Sequence, residues 1–312
     1  MKSKRIAALI IAVFIMAGCS RQPSASASDK LAVVVTLFPQ YDFVRQIAGD
    51  LVELYMLLPP GVESHAYEPS PADMIRIRNA DLFIYTGEVM EAWAGRILQS
   101  VDIPVLDLSA DFNLCVFDDD DEGEDDNDDH DRHEHDHVLD PHIWTDPRNA
   151  IAMVSAIADA LCKADPDNAD VYRRNAAAYI LKLIALDERF ESIVSSASRN
   201  KLVFGGRFPF YYFVQRYGLE YAAAYDSCST EAEPSARRIA ELMDLIVSEK
   251  IPAIYCEELV DPKIARLISE ETGAELLLLH SCHNVTAEEF EGGITYLELM
   301  ERNAVNLEKG LN

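Results

Sequence analysis

Hydrophobic positions along the chain fall into two alternating rhythms. Residues 31–37 form a short β-branched run, 38–48 space their apolar positions as a helix does, and 51–58 are apolar again, so the segment predicts strand, helix, strand. Further strands are predicted at 81–85 and 105–108, with helical spacing over 71–80 and 89–98 between them. The pattern then restarts, with strands near 201–204, 220–224, 253–256 and 275–279 and helices near 209–217, 234–250, 261–272 and 292–307. Strands that alternate with helices imply a parallel sheet covered on both faces.

The chain therefore reads as an α/β protein of two Rossmann-like lobes, spanning 31–165 and 198–312. Between the two series, residues 147–196 keep helical spacing, broken only at Asp165 and Pro166. Proline suits the first turn of a new helix. From there nothing interrupts the pattern to about 196, which predicts a connecting helix over 166–197, about 45 Å long at 1.5 Å per residue. One long helix makes a stiff joint.

The first residues stand apart from this pattern. Lys2, Lys4 and Arg5 precede an uncharged run to Met16, which ends in Ala17, Gly18 and Cys19. That is the form of an export signal over 1–19. The run is too short for a membrane-crossing helix, which needs about 20 apolar residues. The small-small-Cys ending resembles a bacterial lipobox, so Cys19 is expected to carry lipid, with 20–30 as a flexible tether. The chain is then exported and anchored to the cell membrane, facing the periplasm or the exterior.

Charge sets the class of partner. Against 27 Lys and Arg the 312 residues hold 54 Asp and Glu, a net charge of -27. Such a surface repels phosphate backbones, excludes nucleic acid as a natural partner and attracts cations. Residues 118–137 hold thirteen of the acids against one base, Arg132, together with His130, His133, His135 and His137. Histidines spaced among carboxylates in this way predict a weak, multi-site trap for divalent cations.

The other four histidines, His65, His142, His280 and His283, are the candidates for tight binding. His65 follows a predicted strand in a turn-rich loop, His142 directly precedes a helix, and His280 follows the last predicted strand. In parallel α/β sheets ligands bind at the carboxyl ends of strands. Imidazole suits zinc and similar borderline metals.

Four motifs together make the chain resemble the metal-binding proteins of zinc and manganese ABC importers. They are Pro60-Gly61 with His65-Ala66-Tyr67-Glu68-Pro69, then Asp140-Pro141-His142-Ile143-Trp144 with Asp146-Pro147, then Tyr212-Phe213 with Tyr217-Gly218-Leu219, and the His- and acid-rich insertion before the second of these. The resemblance covers nearly all of 30–312. It implies two lobes joined by a long helix, and a metal held in the cleft by residues of both. It also exposes a departure, because Arg207 stands five residues before Tyr212, where the family places a histidine. Arginine has no lone pair to give a metal. The family's last ligand, an acid after the final strand, is replaced here by the run His280-Ser281-Cys282-His283. The expected ligands are therefore His65, His142 and His280, with His283, Glu257 or a water as the fourth and Arg207 hydrogen-bonding a carboxylate or anion at the site. Cys228 and Cys282 lie in loops near that cleft, and an export compartment favours a disulfide between them.

The expected function is capture of Zn2+ and its delivery to a membrane permease by a monomeric solute-binding protein, not an enzyme. Mn2+ or Fe2+ is the alternative cargo, disfavoured because harder cations prefer carboxylates. A metal-binding surface adhesin is the other reading. A secreted zinc hydrolase would want a His-Glu-x-x-His motif on a helix; residues 133–137 have that spacing but lie in the acidic insertion, outside every predicted helix.

Overall fold

A computed structural model describes residues 30–64, 67–114, 116–117, 138–225 and 234–312. The signal and lipidation site at Cys19, the metal-trapping histidines 130, 133, 135 and 137, and His65 and Cys228 lie outside the described residues.

The first lobe opens with β1 (Leu31–Val35), α1 (Phe38–Ala48), β2 (Val52–Met56), α2 (Pro71–Arg78), β3 (Leu82–Tyr85), α3 (Ala94–Leu98) and β4 (Val105–Asp107). Its four strands are all parallel, in the order β2-β1-β3-β4. Every residue of β3 is buried, as a strand covered on both faces requires. The helix expected over 89–98 is shorter than its spacing implied: residues 88–93 form turns and the helix starts at Ala94.

Two elements escaped the hydrophobic pattern. β5 (Val116–Phe117) and β6 (Val138–Leu139) pair antiparallel across the acidic insertion. They bring its two ends together just before Asp140. Strands of two residues leave no periodicity to read.

Next come α4 (Pro147–Ala164) and α5 (Ala169–Ser196), separated by a 3-10 turn over Pro166–Asn168. At 28 residues α5 spans about 42 Å. Its buried residues Tyr172, Ala176, Tyr179, Leu183, Leu186, Phe190 and Ile193 form one stripe at alternating spacings of four and three. Both lobes rest on that stripe. Tyr179 meets Phe43 of α1, and Phe190 meets Phe213 of the second lobe at a ring distance of 4.9 Å.

The second lobe repeats the plan with β7 (Lys201–Phe204), α6 (Tyr211–Tyr217), β8 (Glu220–Ala223), α7 (Ala236–Glu249), β9 (Ala253–Cys256), α8 (Lys263–Thr272), β10 (Glu275–Leu278), a short α9 (Ala287–Glu291) and α10 (Tyr296–Gly310). Its sheet is also parallel, in the order β10-β9-β7-β8. α9 was not predicted; five residues are too few for a periodic signal.

One hydrophobic core runs through both lobes, from Val33 to Leu311. Buried polar contacts reinforce it. Asp42 of α1, fully buried, accepts from the Tyr296 backbone N–H at 2.8 Å, while Arg45 donates to the Ile294 carbonyl at 2.5 Å. The lobes are thus clasped at the root of α10 as well as along α5. Among the described residues no helix is long and apolar enough to cross a membrane.

Candidate metal site

Asp140 and His142 sit where the chain leaves β6 and enters a 3-10 turn over Ile143–Thr145, before Asp146 caps α4. Both are fully buried. The Asp140 carboxylate oxygen Oδ1 accepts the His142 backbone N–H at 2.8 Å and also meets the His142 ring at Nδ1. An ionised carboxylate only accepts, so in the neutral ring the proton is on Nδ1 and Nε2 has the lone pair, the form in which imidazole ligates metal. Tyr212 of α6 fixes this turn from the second lobe by donating to the Asp140 carbonyl at 2.8 Å.

The second lobe supplies the segment after β10. His283 brings its ring to 4.4 Å from that of His142, at 88°, and to 5.3 Å from Trp144. Backbone bonds secure the segment to the first lobe. Trp144 donates its indole N–H to the Ser281 carbonyl at 2.7 Å, Phe38 N–H donates to the His283 carbonyl at 3.2 Å, and Gly61 N–H donates to the Val285 carbonyl at 2.8 Å. Asn284 adds two bonds, to the carbonyls of Pro59 and Val62.

His283 also borders a cleft with roughly 420 Å3 of empty space, walled by Glu63 and Ser64 on one side and Arg207, Glu257, Glu258 and Ser281 on the other. Ser64 immediately precedes His65. Arg207 lies 3.8 Å from the Glu63 carboxylate, an ion pair across the cleft. Burial pushes the Glu257 carboxyl up to about 8, Glu258 beside it adds to the rise, and Arg207 opposes it.

His280 is engaged differently. Its Nδ1 accepts the Cys282 backbone N–H at 2.9 Å, so in the neutral ring the proton is on Nε2. Asn303 of α10 holds its backbone through two bonds of 2.7 Å. Of the sequence-predicted site residues, then, the structure brings His142 and His283 together, lines the cleft with Glu257 and Arg207, and turns His280 toward its own loop. Among the described residues no group of three His, Cys, Asp or Glu is close enough to hold a metal ion. Cys282 carries a free thiol, fully buried and facing the His280 carbonyl, and Cys228, its expected disulfide partner, lies outside the described residues. Glu258 and Ser281 went unnoticed in the sequence, where nothing but their positions after predicted strands marks them.

The family model for the periplasmic component A of the zinc-uptake complex, ZnuA, matches residues 33–310. The chain belongs to the ZnuA zinc-uptake family. It is 34% identical over 310 residues to the high-affinity zinc uptake system protein ZnuA of Bacillus subtilis, covering 98% of this chain and 96% of that one. It is 35% identical over 305 residues to the zinc-binding lipoprotein AdcA of Streptococcus pneumoniae, but spans 59% of that relative's length. Among solved structures, the Zn(II)-bound ZnuA-like domain of AdcA aligns with a TM-score of 0.74 at 33% identity, over 90% of this chain and 99% of that domain. The laminin-binding protein of Streptococcus agalactiae, described as a bifunctional adhesin and metal transporter, aligns at 0.76 and 29% identity, over 90% and 100% of the two chains.

Proposed function

We propose that this chain is the lipid-anchored, extracytoplasmic receptor of a zinc ABC importer, which captures Zn2+ between its lobes and passes it to the membrane permease. The observation that carries the reading is the approach of two imidazoles, fully buried His142 from the first lobe and partly buried His283 from the second, to 4.4 Å. Two imidazoles contributed from opposite sides suit a borderline cation better than a hard one. His65, next to cleft-lining Ser64, is the third ligand in this reading, and His283 takes the role first expected of His280. Membership of the zinc-uptake family and likeness to a Zn(II)-bound domain support zinc over manganese. Attachment through lipid on Cys19 agrees with the lipoprotein relative.

Competition titration of Zn2+ tests the ligand set. His65→Ala, His142→Ala and His283→Ala should each lower affinity more than tenfold, over about 1.4 kcal/mol. His280→Ala should lower it less. A parent-like His283→Ala beside a crippled His280→Ala would return the assignment to His280.

A further inference from the structure

The parallel pairing of β9 with β10 sets Cys256 against Leu278, and the Leu279 N–H continues the ladder to the Cys256 carbonyl at 2.9 Å. The residues that follow, Glu258 and Ser281, consequently leave the sheet side by side at the cleft. Each is followed within a residue by a left-handed backbone position, Leu259 at φ 59° and Cys282 at φ 64°. These are conformations that residues with a Cβ seldom adopt. Leu259 and Val260 beyond the first kink are exposed, while the Glu258 side chain stays only 8% exposed.

Both oxygens of that buried carboxylate are spoken for by one residue. Oε2 accepts the Ser281 backbone N–H at 2.8 Å, and Oε1 accepts the Ser281 hydroxyl. Ser281 Oγ in turn meets His283 Nδ1. Protons settle the direction of this chain. A serine hydroxyl has a single proton and a carboxylate has none to offer, so the serine proton goes to Glu258 and its oxygen presents a lone pair to His283. Nδ1 must then carry the hydrogen, and Nε2 has the lone pair. The direct separation between Glu258 Oε1 and His283 Nδ1 is 3.9 Å, too long for a hydrogen bond, so the influence passes through Ser281.

We propose that Glu258 is a positioning residue which, acting through Ser281, holds His283 as the Nδ1–H tautomer and so makes its Nε2 the metal-binding nitrogen. The first lobe does the same for His142 with Asp140 directly. Nothing in the sequence announces the relay, since a carboxylate, a hydroxyl and an imidazole from two loops meet only through strand register. The proposal rests on His283 being a ligand, as argued above. It adds that a carboxylate, not merely a polar side chain, is required at 258. In Glu258→Gln the amide NH2 replaces one acceptor; where it faces Ser281 Oγ, the serine proton is released toward His283 Nδ1 and the lone pair moves to the wrong nitrogen.

The test is long-range 15N–1H NMR of histidine side chains on the metal-free full chain, together with zinc competition titrations of the parent, Glu258→Gln, Ser281→Ala and His283→Ala. The parent should show His283 as the Nδ1–H form. Glu258→Gln and Ser281→Ala should move it toward the Nε2–H form and weaken zinc by about 10- to 100-fold. A purely structural role would leave the tautomer alone. A parent His283 in the Nε2–H form overturns the proposal even if no variant folds, as does a Glu258→Gln protein with parental tautomer and affinity. The two levels of the reading fail separately: a His283→Ala protein that binds zinc like the parent removes His283 as a ligand, whereas loss of binding there with no effect at 258 and 281 removes only the relay.

Discussion

The rings of His142 and His283 stand nearly perpendicular with centroids 4.4 Å apart, although 141 positions of chain separate them. His142 is held by Asp140 and His283 by Ser281, so hydrogen bonds within the protein orient both rings. Preorganisation of this kind removes the ordering cost from the binding step.

Removing the Asp140 side chain should therefore cost affinity without touching a ligand. In Asp140→Ala the His142 ring loses its acceptor, and zinc binding should weaken by about 10- to 100-fold. Asp140→Asn should lose less, because both donors from His142 converge on Oδ1, which an amide oxygen can replace. Oδ2, which has no hydrogen-bond partner among the described residues, would become the amide nitrogen. Calorimetric titration of the two variants measures the order; an equal loss would mean that charge, not the placed acceptor, governs the site.

Trp144 links the halves of the pair. Its indole N–H reaches the Ser281 carbonyl while its own carbonyl accepts from Tyr296 at 2.6 Å, all in the buried core. Trp144→Phe strands the Ser281 carbonyl, and a buried unsatisfied acceptor costs about 1–3 kcal/mol. Urea denaturation of the metal-free protein should show that loss. A change below about 0.5 kcal/mol would mean that the loop after β10 draws little of its support from the indole.

Acid and base should also separate the first lobe's crevice from the metal site. Where β1 and β3 end and the chain departs in opposite directions, buried Glu91 accepts from Thr36 Oγ1 and from the Gly87 N–H at 3.0 Å. Burial pushes its carboxyl up to about 7 from an ordinary 4.5, the hydrogen bonds only partly opposing. The folded protein then holds a proton that the unfolded chain has released, so Glu91's contribution is present below about pH 4.5 and lost as pH rises through about 7. A displacement of that size corresponds to about 3 kcal/mol. Stability of the metal-free protein should fall from pH 5 to pH 8 in urea titrations, and Glu91→Gln should flatten the slope. An unchanged slope would place the titration elsewhere.

Much of this architecture was legible from the sequence. The strands at 201–204 and 253–256 and the helix at 38–48 lie where hydrophobic spacing puts them, because long-range packing only reinforces their local preference. The choice between His280 and His283 was not legible. It turns on Cys282, whose left-handed backbone at φ 64° redirects the chain between them. Glycine or asparagine would have flagged such a turn, and cysteine does not. Glu258 was hidden for a related reason, since its partners come from a neighbouring strand rather than from nearby sequence. His283, and not His280, is the imidazole that lines the cleft.

The central claim, that zinc is held between His142 and His283, is tested most directly by diffraction from zinc-loaded crystals collected above and below the zinc absorption edge. The account predicts one strong anomalous peak within bonding distance, about 2.0–2.1 Å, of Nε2 on both His142 and His283. A peak bound to His280 with His283 unligated would contradict it.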